Sequence, residues 1–153
     1  MSGVRPGVRL AVDVGRARVG LAASDPAGSL AFPVETLPRD ERVVQRIAAE
    51  AAERDALEIV VGLPVSLSGG DTPSTTDARE VAAALAAAAP VPVRLVDERL
   101  STVSAQSALR SAGRSTRRSR SVVDQAAAVI ILQHALDSER AGGIPPGVIV
   151  EPD

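Results

Sequence analysis

Cysteine, lysine, tyrosine and tryptophan are missing from this 153-residue chain, which has a single histidine and a single phenylalanine. Without cysteine there is no disulfide, no thiolate metal site and no cysteine nucleophile, and nothing in the chain resists a reducing compartment. One histidine, His134, leaves a zinc centre short of its usual ligands. Phe32 lies in an apolar strand-like run where core packing is expected, so a stacking platform for single-stranded nucleic acid has no material. No window approaches about 18 uninterrupted apolar residues, and the first residues carry Gly, Pro and Arg instead of a basic segment followed by an apolar one. A soluble, cytoplasmic protein is expected, and at about 100–200 residues per domain, a single folded unit. We expect a flexible leader over 1–7, a folded domain over 8–139 and a flexible tail over 140–153.

With lysine absent, all 17 basic residues are arginine. Their placement is uneven. Arg99, Arg110, Arg114, Arg117, Arg118 and Arg120 fall in a stretch with no acidic residue, on a chain whose net charge is −2. A local basic segment on a mildly acidic protein points to an anionic partner held at one site, the alternative being a solvated loop.

Hydrophobic patterning gives the order of elements. Val8 to Val14, Val19 to Ser24 and Ser29 to Leu37 read as an antiparallel meander, separated by Gly15-Arg16-Ala17-Arg18 and Asp25-Pro26-Ala27-Gly28. Val43, Val44, Ile47, Ala48 and Ala51 keep helical spacing behind Asp40, a candidate cap. Leu57 to Val61 is a short β-branched run suited to a central parallel strand. A helix over Ser74 to Ala89 is stopped by Pro90 and Pro92, and Val91 to Val96 returns as a strand. A helix from Ser101 to Gly113, the basic loop and a last helix from about Ser121 to Ser138 follow. This order predicts an α/β fold: a central mixed five-stranded sheet, three antiparallel strands and then strands linked by helical crossovers, flanked by helices. In such sheets sites form at the carboxyl ends of strands.

Asp13 and Glu98 occupy such ends, and Asp124 shares a helical stripe with Ala127, Ala128, Ile131 and Ala135. Three carboxylates gathered by the fold would make a hard-oxygen metal site. Each residue has a plainer reading. Asp13 before Gly15 fits a turn, Asp97-Glu98-Arg99 fits a surface ion-pair cluster, and Ser121-x-x-Asp124 fits a capping box. Asp97 and Glu98 point to opposite faces of a regular strand, so only one of them can face Asp13. Arg16 and Arg18, beside Asp13 in the first hairpin, are candidate phosphate contacts. The loop from Gly62-Leu63-Pro64 to Gly69-Gly70-Asp71 could cradle a phosphate or simply connect, and it lacks the lysine of a nucleotide P-loop.

Four segments together resemble the YqgF family, also called RuvX, of ribonuclease H-like nucleases: Asp13-Val14-Gly15 with Arg18-Val19-Gly20; Val61-Gly62-Leu63-Pro64 with Gly69; Val96-Asp97-Glu98-Arg99-Leu100-Ser101-Thr102; and Asp124-Gln125-Ala126-Ala127-Ala128 with Ile131-Leu132-Gln133. The resemblance spans Val8 to Leu136. It implies a ribonuclease H-like fold and a metal-dependent nuclease, a hydrolase of phosphodiester bonds that matures the 5′ end of precursor 16S ribosomal RNA in ribosome biogenesis. The other readings are a Holliday-junction resolvase acting on DNA and a non-catalytic nucleic-acid-binding assembly factor. By position in the motifs, Asp13, Glu98 and Asp124 are the catalytic carboxylates and ligands of Mg²⁺ or Mn²⁺, with Glu98 favoured over Asp97. Two-ion chemistry, with ions about 3.5–4 Å apart, suits phosphodiester hydrolysis. Structured nucleic acid is the expected partner of a monomer or homodimer, with Arg16, Arg18, Arg99, Arg114, Arg117 and Arg118 on its phosphates.

Overall fold

A computed structural model of the chain describes residues 3–66, 68–98 and 117–152, the side chains of 117–124 excepted. The strands are β1 (Arg9–Val14), β2 (Arg18–Ser24), β3 (Ala31–Pro38), β4 (Glu58–Leu63), β5 (Val93–Asp97) and β6 (Val148–Ile149). The helices among the described residues are α1 (Val43–Glu53), α2 (Pro73–Ala88) and α3 (Arg117–Gly142). The expected helix over Ser101 to Gly113 lies outside the described residues.

The strands form one sheet in the order β3-β2-β1-β4-β5-β6. β1 is antiparallel to β2 and parallel to β4, and β4 is parallel to β5, so the meander passes into two helical crossovers as the pattern predicts. The sheet has six strands where five were expected. The extra one lies in the segment read as a flexible tail: Val148 pairs with Leu95 and Ile149 with Arg94. Gly147 has φ +81°, and a Cβ there would fall 2.0 Å from the Leu95 carbonyl oxygen, so glycine alone lets the chain turn in against β5. A two-residue strand carries no readable period, which is why the pattern missed it.

Alternation along the strands divides the core in two. Leu10, Val12, Val19, Leu21, Ile59, Val61, Val93 and Leu95 pack with Val43, Ile47, Val81 and Leu85 of α1 and α2. Ala11, Ala22, Val60 and Val96 face the other way, onto Ala127, Ala128, Ile131, Leu132, Ala135 and Leu136 of α3. Small residues on the α3 side let that helix lie close to β1, β2 and β3. Phe32, expected in the core, is 41% exposed. It sits on β3, the edge of the sheet, where a side chain has strand neighbours on one flank only.

Two helix starts differ from the sequence reading. Arg42, not Asp40, is the N-cap of α1 and gives no side-chain cap. Asp40 closes the preceding turn instead, its carboxylate accepting from the Arg42 N–H at 2.9 Å. α2 begins in a reciprocal box in which Thr72 and Thr75 each accept from the other's backbone N–H, and the buried Thr75 hydroxyl donates to the Pro64 carbonyl. That bond fastens the start of α2 to the end of β4.

Candidate active site

Period-two alternation on β1 puts Arg9, Ala11 and Asp13 on the face covered by α3. The three residues mark out that face from one end to the other. At the amino end, Arg9 is almost fully buried and its guanidinium lies 3.2 Å from Glu139 of α3. Arg5 meets the same carboxylate at 2.9 Å and Glu58 at 3.1 Å, and Arg94 meets Glu58 at 3.2 Å. Burial pushes the Glu139 carboxyl up, but hydrogen bonds from the Arg5 side chain and N–H, with the charges of Arg5 and Arg9, outweigh it and hold the pKa down at about 2. This cluster fixes the far end of α3 against three strands.

At the carboxyl end stands Asp13, 7% exposed. Its partner on β2 is Gly20, and one step beyond the Val12–Val61 pair its neighbour on β4 is Gly62. Both flanking positions therefore lack a side chain of their own, and the space over Gly62 is taken by the side chains of Glu98 and Ile131. The turn beyond is tight: the Gly15 N–H donates to the Arg18 carbonyl at 2.9 Å, and a Cβ on Gly15 would fall 2.6 Å from that oxygen.

Glu98 follows directly on β5. Leu95 faces α1 and α2 and Val96 faces α3, so alternation along β5 sends Asp97 to the first face, while Glu98, one residue past the strand, lies on the second face with Ile131 over Gly62. Glu98 is 6% exposed, and its Oε2 lies 3.1 Å from where a Cβ on Gly62 would stand. Its carboxylate thus rests over β4, one interstrand spacing, about 4.8 Å, from the column of Asp13. Of the two acidic neighbours, Glu98 shares the face of Asp13 and Asp97 does not.

Asp124 lies in the interior of α3, which begins at Arg117, so Ser121 is not an N-cap and the capping-box explanation of Asp124 falls. For the same reason Arg117, Arg118 and Arg120 belong to the helix and not to a loop. The side chains of Asp124, Arg117 and Arg118 are outside the described residues, as are Arg99 and Arg114 altogether. The next residue locates the turn that bears Asp124. Gln125 donates to the Thr36 hydroxyl at 3.0 Å, and Thr36 pairs with Gly20, the partner of Asp13. That turn is tied to the sheet row that contains Asp13. Thr36 and Gln125 had no role in the sequence reading; the signal available was that Gln125 adjoins Asp124 within one motif.

The two hairpin arginines separate. Alternation puts half-buried Arg18 on the α3 face, with Gly20 and Ala22, two residues along β2 from the partner of Asp13. Arg16 is exposed and lines a cleft of about 440 Å³ with Val14, Gly15, Arg39, Pro73, Ser74 and Asp77. Within it Arg39 and Asp77 form a two-pronged pair at 2.9 and 2.7 Å, and Arg39 also donates to the Gly15 carbonyl at 2.9 Å. The Arg39 hydrogen bonds, with a smaller contribution from Arg16, hold the Asp77 carboxyl below its usual range. The loop after β4 closes on itself. The Gly69 N–H donates to the Ser66 carbonyl and the Gly70 N–H to the Ser66 hydroxyl, so these groups are committed and the phosphate-cradle reading loses them.

Among the described residues no group of three or more His, Cys, Asp and Glu is close enough to hold a metal, and no helix is long and apolar enough to cross a membrane. The described part of the site is two buried carboxylates and a half-buried arginine on one face of the sheet.

Comparison with known proteins agrees with this placement of elements. Residues 7–138 match the family model described as "RuvX: Holliday junction resolvase". A protein of Clavibacter michiganensis subsp. michiganensis named "Putative pre-16S rRNA nuclease" is 62% identical over 150 residues, covering 96% of this chain and 93% of that one. Proteins of the same name from a Nocardioides species and from Streptomyces coelicolor are 58% and 55% identical, each covering 97% of this chain and 99% and 90% of their own. Among solved structures, RuvC of T. thermophilus in complex with a Holliday junction substrate superposes with a TM-score of 0.59 at 16% identity, over 91% of this chain and 99% of that one. At that identity the likeness speaks for the fold.

Proposed function

The chain belongs to the RuvX family and has its ribonuclease H-like fold, and from that premise we propose that it is a metal-dependent nuclease that processes the 5′ end of precursor 16S ribosomal RNA. The observation that carries the chemistry is that Asp13 and Glu98, two buried carboxylates from strands that are not neighbours, lie on the face covered by α3, with the Glu98 side chain over Gly62 of the strand between them. Burying two like charges near each other costs free energy unless a cation or a proton offsets it.

The donor set fits a hard divalent cation. It offers carboxylate oxygens, and a chain without cysteine and with one histidine has no softer alternative. In this reading Asp13, Glu98 and Asp124 hold Mg²⁺ or Mn²⁺, most simply as a pair of ions. Such ions supply a nucleophilic water at neutral pH and stabilise the departing oxygen. Asp13 is fixed at the end of a central strand, Glu98 is seated over β4, and Asp124 belongs to the helix that covers both. Arg18, on the same face, takes a phosphate oxygen near the reacting bond. Arg16 takes a neighbouring phosphate along the cleft at the start of α2, and Arg99, Arg114, Arg117 and Arg118 extend the contact along the backbone. Affinity for the nucleic acid should therefore fall steeply with salt.

RNA is favoured because the relatives above 50% identity carry the name of a pre-16S rRNA nuclease. The family description favours a second reading, resolution of a four-way DNA junction by the same chemistry. The test is cleavage by the purified protein of a precursor transcript spanning the mature 5′ end and of a four-way DNA junction, with Mg²⁺ or EDTA. Mg²⁺-dependent cuts confined to the precursor are expected. Paired symmetric nicks in the junction with an intact transcript would replace the first reading by the second, and binding without cleavage of either would leave an assembly factor.

A further inference from the structure

The strands that carry Asp13 and Glu98 are separated by β4, and the residue of β4 that lies between the two carboxylates is Gly62. Its place in the Val61-Gly62-Leu63-Pro64 motif would be explained by a turn if it had an unusual backbone, but it is an ordinary strand residue paired with Val96 and has no positive φ. What is unusual is the space above its α-carbon. A Cβ built on Gly62 meets the Cδ1 of Ile131 at 2.6 Å, the Oε2 of Glu98 at 3.1 Å and the Cγ of Glu98 at 3.3 Å. The volume that any other residue would need is filled from one side by α3 and from the other by the Glu98 side chain.

We propose that Gly62 is a positioning residue for the reaction: its bare α-carbon is the seat on which the Glu98 side chain lies so that its carboxylate stands beside Asp13. Glu98 is one residue past the end of β5 and its backbone is level with the residues beyond Gly62. Its side chain must therefore reach back over β4 to come alongside Asp13, and only a residue without a side chain leaves that path open. A methyl group at position 62 makes the Glu98 side chain give way by a few tenths of an ångström, off the strand and away from Asp13, which uses up most of the roughly 0.5 Å within which a metal geometry must be held. This inference rests on the assignment of Asp13 and Glu98 as metal ligands.

The contacts also supply a control. Ile131→Val deletes the Cδ1 atom that meets the new methyl group and leaves Glu98 untouched. Mn²⁺ affinity, followed by electron paramagnetic resonance, and thermal midpoint are measured for the wild type, Gly62→Ala, Ile131→Val and the double variant. We expect Gly62→Ala to lower both the midpoint and Mn²⁺ affinity, the latter by about 10–100-fold, the usual effect of disturbing the support of a metal ligand. Ile131→Val should keep wild-type affinity. The double variant should recover thermal stability and not Mn²⁺ affinity. Recovery of both in the double variant, or undiminished affinity in Gly62→Ala, would overturn the proposal and leave Gly62 as a packing residue under α3. A wild type that does not bind Mn²⁺ would overturn the ligand assignment itself, and the proposal with it.

Discussion

Asp13→Asn abolishes cleavage and leaves the fold in place: this is the largest effect that the site predicts. The substitution keeps size and hydrogen-bonding capacity and removes one negative charge from the middle of the carboxylate group. If Asp13 holds the ion on which hydrolysis depends, several kcal/mol of transition-state stabilisation go with it. That corresponds to a loss of about three orders of magnitude or more in rate. Stability should not follow. Asparagine fills the space of the aspartate at the end of β1, so the thermal midpoint without metal should stay near that of the wild type. Rates measured under single-turnover conditions, with melting curves in EDTA for both proteins, check the two halves together. A folded variant that cleaves at the wild-type rate would remove Asp13 from the chemistry.

Glu139→Gln has the largest expected effect on stability, and it acts at the opposite end of the same face. Glu139 is buried and receives Arg5 and Arg9, so neutralising it leaves two guanidinium groups without their principal counter-charge, one of them almost wholly inside the protein. Breaking a buried ionic cluster from one side costs about 3–5 kcal/mol. The pKa gives a consistent figure: a carboxyl held at about 2 against an ordinary value of 4.5 corresponds to about 3 kcal/mol at neutral pH. The sign follows from the depressed pKa. The folded protein gives up the proton more readily than the unfolded chain, so this stability is fully present above pH 4.5 and is lost as pH falls from there towards 2. Urea unfolding at pH 7 and pH 4 should show a gap between wild type and Glu139→Gln that is somewhat smaller at the lower pH, because the carboxyl of the unfolded chain is by then mostly protonated while that of the folded protein, held at about 2, is still ionised. An equal gap at both values would mean that charge is not what Glu139 contributes.

These two ends of β1 show what the sequence could disclose. Alternation in Leu10, Val12 and Ile59, Val61 and the helical spacing of Val43, Ile47 and Ala51 were enough to place five strands and the helices between them, because each segment buries one face and the period is written in its apolar residues. The buried charges were not legible in this way. Arg5 and Arg9 meet Glu139 across 134 and 130 residues, and no local pattern pairs groups so distant. Phe32 misled for a related reason: its run is apolar, but whether a strand is central or at the edge depends on neighbours supplied from elsewhere in the chain. Within the site, the motifs pointed to Asp13 and favoured Glu98 over Asp97; that Glu98 lies over Gly62 on the face of Ala11 and Val96 is legible only in the assembled sheet. The sequence places Gly62 in the loop that runs to Gly69-Gly70-Asp71; its contact with Glu98 exists only once three strands and α3 are assembled.

The central claim is that Asp13 and Glu98, and not Asp97, build the cation site of this nuclease. It is tested most directly by titrating Mn²⁺ into the wild type, Glu98→Gln and Asp97→Asn and recording bound ion by electron paramagnetic resonance in the absence of nucleic acid. The account predicts that Glu98→Gln loses most of the affinity while Asp97→Asn titrates like the wild type. Wild-type binding by Glu98→Gln, with the loss appearing in Asp97→Asn, would contradict it.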